Sequence, residues 1–235
     1  MWPPLGRNME TQMFRSAANI WEDKLARDAA VARAFAEDAP EISPAEGIVA
    51  GTQIATAMGW RPIEAIAVGD RVMTFDHGLR PVASVKRSDL WLGDGRCPSH
   101  LEPLAVPEGA LGNQRPLLLL PEQPVLVESD MAEALFGDPF VLVPAAALEG
   151  YRGIGPVTPH RRVEVVLLEF ESDEVVYANG AGMIRCGSVH DGDVETILEG
   201  DTVNYETLPF DMARSIVAGL IDEDHRPQNY TFAAE

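Results

Sequence analysis

Residues 51–82 read GTQIATAMGWRPIEAIAVGDRVMTFDHGLRPV, and their punctuation decides the fold class. The runs 54–57 and 71–75 have strand-like composition and are parted by Met58-Gly59, Gly69-Asp70 and His77-Gly78, pairs that turn a chain back on itself. The same rhythm continues outward through 81–86, 124–128, 141–144, 163–170 and 174–178, the last ending at Asn179-Gly180. Short apolar runs with regular turn signals predict an all-β domain. Asp76-His77-Gly78 reads as a hairpin turn. Two short helices interrupt or follow the strands. One is expected at 130–135, with Asp130 as its cap. The other is expected at 210–221, where Phe210, Ala213, Val217, Leu220 and Ile221 share helical spacing after Pro209, and a polar tail follows from Asp222.

Composition sets the outer limits. The chain has 235 residues, 46% of them hydrophobic, enough for one sizeable β-domain with appendages. Its 37 acids outnumber 18 bases, giving a net charge of −19. Such a chain repels a phosphate backbone, so nucleic acid is excluded as an expected partner. MWPPLGRNMETQMF lacks a basic segment followed by an apolar one, and apolar runs such as 117–120 fall far short of the roughly 20 residues that span a bilayer. The expectation is a cytoplasmic protein without membrane insertion, with export independent of a signal peptide, or incorporation into a particle, left open. Cys97 and Cys186 could form one bridge at most; reduced thiols are expected.

At the start of the chain, Phe14, Ala18, Trp21, Leu25, Ala29, Ala32 and Phe35 recur at three- and four-residue steps, flanked by Glu22, Asp23, Lys24, Arg27 and Arg33. This spacing predicts an amphipathic helix over about 10–35. It stops before Asp38-Ala39-Pro40, since proline disfavours helical geometry in the residue before it. Residues 38–46, DAPEISPAE, read as a linker. The expected organisation is therefore a helix and linker at 1–46, a β-domain at 47–188, and an acidic extension with a short helix at 189–235.

Six blocks occur in the order of a known family: 51–64 (GT-x-I-x-T-x-x-GW-x-P-x-E), 69–76 (GDRV-x-T-x-D), 109–112 (GALG), 121–127 (PEQPVLV), 140–145 (FVLVPA) and 173–181 (DEVVYANGA). Over about 47–188 the chain resembles the Hint domain of hedgehog proteins and inteins, in its bacterial form. The resemblance implies a mainly β, pseudo-twofold fold of short strands and curved hairpins. It also implies self-processing, in which a Cys or Ser attacks the preceding carbonyl to form a thioester or ester.

The positions implied by the family hold other residues here. The nucleophile belongs four residues before the Gly of Gly51-Thr52, and that place is Gly47. A histidine that assists cleavage in a Ser-Pro-x-His-like stretch corresponds to Gln123, whose amide can donate a hydrogen bond but carries no proton near neutral pH. A third position, often His, is Asp173. In the terminal block, Ile184 and Arg185 replace the His and the cyclising Asn, while Cys186 falls on the second nucleophile. Read as ordinary residues, Gln123 and Asp173 are expected to be surface polar groups at strand ends, and Cys186 a small buried hydrophobe. Ser43 is the nearest upstream hydroxyl but lies at the wrong spacing.

Outside those positions the signals are thin. Cys97 and His100 stand three apart and are weak candidates for metal ligands with Asp94 nearby, but no second pair follows. No cofactor and no metal are expected. The acidic stretch 190–201, HDGDVETILEGD, lacks the spacing of a calcium loop and reads as solvated.

Three functions compete on the sequence. The leading expectation is a catalytically inactive Hint-like domain, acting as a structural or protein-interaction module, for example within a phage-like particle or a secreted complex. Phe14, Trp21, Leu25 and Phe35 would dock onto their own domain, another copy or a protein partner, because an apolar stripe forfeits about 25 cal/mol per Å² if left in water. The alternative is a self-cleaving domain with a variant nucleophile, cutting near Glu46-Gly47 or Arg185-Cys186. A carbohydrate- or metal-binding β-module has only Cys97, His100 and scattered acids behind it.

Overall fold

The computed structural model describes residues 46–91, 97–160, 162–190 and 205–225. The expected helix at 10–35 with Phe14, Trp21, Leu25 and Phe35, the linker to residue 45 with Ser43, Asp94, the acidic stretch from 191 and the tail from 226 lie outside the described residues.

The β expectation holds. Fourteen strands are named in chain order among the described residues: β1 Ile48–Val49, β2 Gln53–Thr56, β3 Gly59–Pro62, β4 Arg71–Thr74, β5 Gly78–Pro81, β6 Ser84–Trp91 and β7 Leu104–Val106. They continue as β8 Leu117–Leu119, β9 Pro124–Glu128, β10 Phe140–Pro144, β11 Gly155–Pro156, β12 Val163–Glu169, β13 Glu174–Ala178 and β14 Gly182–Cys186. One sheet runs β11-β7-β8-β1-β12-β6; the other runs β10-β9-β14-β13-β2-β4-β5, with β3 paired to β2. Every strand pair is antiparallel.

Runs with several β-branched or leucine residues, such as β9, β12 and β13, sit where their composition places them. The shortest strands, β1, β7, β8 and β11, of two or three residues each, carry too few residues for a period-two pattern to be read from sequence. The expected strand at 81–86 is divided, because β5 ends at Pro81 and β6 begins at Ser84. The expected Asp76-His77-Gly78 turn does join β4 to β5, which pair Thr74 with Gly78.

Both helix expectations need adjustment. Helix α1, Asp130–Phe136, is capped by Ser129 rather than Asp130: the Ser129 hydroxyl accepts the Ala132 N–H at 3.4 Å. Asp130 lies in the first turn, where its charge suits the helix dipole. Helix α2, Phe210–His225, extends one turn beyond the expected tail boundary at Asp222. That turn is held by Arg152, which grips both carboxylate oxygens of Asp224. The buried face of α2 is Ala213, Ile216, Val217 and Leu220, whereas Phe210 is exposed. These four share the main core with Ile54, Leu119, Val143, Leu148 and Val176. A fully buried Ile, Val or Leu contributes about 1.5–3 kcal/mol, so α2 is a structural part of the β-domain. Among the described residues no helix is long and apolar enough to cross a membrane.

Candidate functional site

The two ends of the expected processing unit meet at one side chain. Gly47 precedes β1, Gln123 precedes β9, and Arg185 and Cys186 close β14. The Gly47 N–H donates to Gln123 Oε1 at 2.8 Å, and Gln123 Nε2 donates to the Arg185 carbonyl at 2.9 Å. One carboxamide therefore bridges both junctions with its acceptor and its donor. Gln123 is only 2% exposed, which overturns its reading as a surface group. The apolar runs on either side of it carry the chain through the core, and its amide pairs with one backbone N–H and one backbone carbonyl.

Asp173 is also not a free surface residue. It precedes β13, and its Oδ2 accepts from Arg185 at 2.7 and 3.1 Å while Oδ1 accepts the Ser188 N–H at 3.0 Å. The paired side chains are 13% and 15% exposed. Arg185 thus presents its carbonyl to Gln123 and its guanidinium to Asp173. Ile184 is buried in the core opposite Val125.

Two features oppose nucleophilic chemistry at these junctions. Gly47 has φ +129°, a backbone state that residues with a Cβ rarely adopt, and a Cβ built there would fall 2.4 Å from Val165 Cγ1. Both the side chain and the space for one are missing. At the second junction Cys186 is buried, and burial pushes its thiol up to about 12, with Arg185 opposing the rise and Asp173, Glu174 and Glu46 adding to it. A thiolate is the reactive form, so this burial disfavours the reactive state at neutral pH.

Cys97 and His100 are not brought into a common ligand set. Cys97 is buried and its thiol is pushed up by that burial; His100 is exposed. Among the described residues no three His, Cys, Asp or Glu side chains are grouped to hold a metal ion.

A second polar constellation escaped the sequence reading. Glu174, adjacent to Asp173, is 0% exposed. Its Oε1 accepts from Arg80 at 3.1 Å and Ser172 at 3.2 Å, and its Oε2 pairs with His77 Nδ1 at 3.0 Å. Asp76, next to His77, is raised above the ordinary carboxylate value, mainly by burial, with Glu174 and Asp138 adding to the rise and His77 opposing it. The strand pattern gave no sign of this, since a carboxylate at the start of β13 reads as a solvated end; only the β4–β5 hairpin places Arg80 and His77 over it.

The Hint domain family model matches residues 47–193, the majority of the chain, and the chain belongs to that family. Among solved structures it is similar to the bacterial intein-like domain of Clostridium thermocellum, at 18% identity and a TM-score of 0.43, over 59% of this chain and 97% of that one. It is also similar to the gp41-1 intein, at 16% identity and a TM-score of 0.37, over 60% of this chain and 98% of that one. A third similar structure is the MchDnaB-1 intein, at 16% identity and a TM-score of 0.37, over 58% and 98% of the respective chains. No curated protein matches the chain.

Proposed function

We propose that this chain is a Hint domain whose self-processing has lapsed and which acts as a structural or protein-interaction module. The observation that carries the reading is Gly47: the position of the first nucleophile holds no side chain, its φ is +129°, and Val165 occupies the space a Cβ would need. An N-to-S or N-to-O acyl shift begins with a sulfur or oxygen on that residue. Gln123, which holds the Gly47 N–H, donates and accepts hydrogen bonds but does not shuttle protons. Burial of Cys186 supports the same reading at the second junction.

The interaction role rests on the sequence spacing of Phe14, Trp21, Leu25 and Phe35, an apolar pattern suited to a protein partner or a second copy of the chain. By the same reading, residues 1–46 form the docking segment and 47–188 the Hint scaffold, with α2 of the 189–235 extension packed into the scaffold's core.

Intact mass spectrometry tests the proposal. Protein held for days at neutral pH with dithiothreitol is expected to give one species at full length, 25.5 kDa. Paired fragments summing to that mass, with a break at Glu46-Gly47 or Arg185-Cys186, would establish the self-cleaving alternative instead.

A further inference from the structure

A small cleft of about 240 Å³, unconnected with the junctions, lies between the β2–β3 hairpin and the turn at 113–115, lined by Gln53, Trp60, Gln114, Arg115, Asn179 and Gly180. Its floor is fixed. Asn179 sits in the left-handed region at φ +48°, accepts the Gln53 N–H on its Oδ1 at 2.7 Å and donates to the Pro116 carbonyl at 2.9 Å. Gly180 is required beside it, because a Cβ there would lie 2.8 Å from the Gln114 nitrogen. The walls contrast with this floor: among the described residues the side chains of Gln53, Gln114 and Arg115 and the Trp60 indole have no hydrogen-bond or ion-pair partner. Trp60 is 47% exposed, an indole left at the mouth of a polar cleft.

We infer that this cleft is a binding site for a hexuronate, a pyranose carrying a carboxylate. An indole face offers an apolar platform for the C–H face of a sugar ring, and its N–H is free to meet a hydroxyl. The two glutamine carboxamides each present donor and acceptor atoms, the complement of sugar hydroxyls, which also give and take hydrogen bonds. Arg115 supplies the choice among sugars. Its planar guanidinium matches a carboxylate through two parallel hydrogen bonds. Among the described residues Arg115 has no carboxylate partner, although the chain carries a net charge of −19. A rigid floor with unpartnered polar walls is a preorganised site: binding needs no internal bond to break.

The experiment is a titration of ¹⁵N-labelled full-length protein with sodium glucuronate, with glucose as the neutral counterpart and sodium acetate as the plain anion, followed by two-dimensional NMR. Saturable shifts are expected at the Trp60 indole N–H and the Gln53 and Gln114 carboxamides, with millimolar affinity and glucuronate about fivefold tighter than glucose. Arg115→Gln should bring the two sugars to equal affinity, and Trp60→Ala should abolish binding of both without moving the thermal midpoint. Absence of saturable shifts, survival of binding in Trp60→Ala, or shifts from acetate equal to those from glucuronate would overturn the assignment. None of these outcomes bears on self-cleavage.

Discussion

Two buried polar constellations flank the start of β13, and they are built on opposite principles. At the junctions, one neutral carboxamide, Gln123, joins the Gly47 N–H to the Arg185 carbonyl. One residue beyond Asp173, the Glu174 carboxylate is buried beneath Arg80 and His77. A self-processing site needs groups that attack and move protons; Gly47 has no side chain, Gln123 carries no proton to move and the Cys186 thiol is buried, while ionisable side chains cluster in the neighbouring network. The Glu174 network ties the β4–β5 hairpin to β13, and the Gln123 amide closes the domain by its ends.

Breaking the junction sterically should cost most. Gly47→Cys places a Cβ in a positive-φ position against Val165, so strain and overpacking together should lower stability by about 2–6 kcal/mol in urea unfolding. Near-wild-type stability would mean the junction can relax, and would reopen it to a nucleophile. Gln123→Leu keeps volume but removes the hydrogen bonds to the Gly47 N–H and the Arg185 carbonyl, and a loss of about 2–4 kcal/mol is expected. Because the lost bonds are between neutral groups, that loss should be the same at pH 5 and pH 8.

Glu174→Gln sharpens the contrast with a smaller loss, about 1–3 kcal/mol at neutral pH, because Arg80 and His77 are both partly exposed and can turn to water. A loss larger than that of Gln123→Leu would reverse the ranking of the two constellations. The smallest effect belongs to Asp76. Its folded-state carboxyl is raised by burial, so the native protein holds that proton more tightly than the unfolded chain does. That contribution is present below the unfolded value near pH 4 and is lost as pH rises through the folded value. Asp76→Asn should therefore raise stability slightly at pH 7, and the gain should vanish below about pH 4. Thermal midpoints of both proteins across pH 3–8 measure it.

Much of the fold was legible because its signals are local. Gly59, Gly69, Gly78 and Gly180 all have positive φ at or beside strand ends, as the turn pairs imply. The runs at β9 and β13 begin and end where composition says. The site was legible in another sense: the resemblance picked out Gly47, Gln123, Asp173, Arg185 and Cys186, residues up to 139 positions apart, and the structure brings Gly47, Gln123 and Arg185 into one hydrogen-bonded chain, with Asp173 and Cys186 beside Arg185. What failed was exposure. Gln123 and Asp173 read as surface groups because polarity in one dimension suggests water, and only their partners reveal burial.

From the sequence alone came the β class, the turn positions, the identity of the altered family positions and the absence of a side chain at residue 47, since each depends on one residue or its near neighbours. Tertiary structure alone decided that Val165 fills the space beside Gly47, that one glutamine spans both junctions, that Glu174 is enclosed by a hairpin some 94 residues earlier, and that α2 belongs to the core. Those outcomes depend on atoms far apart in the chain arriving within a few ångströms of each other, and no local pattern records which distant surface will arrive.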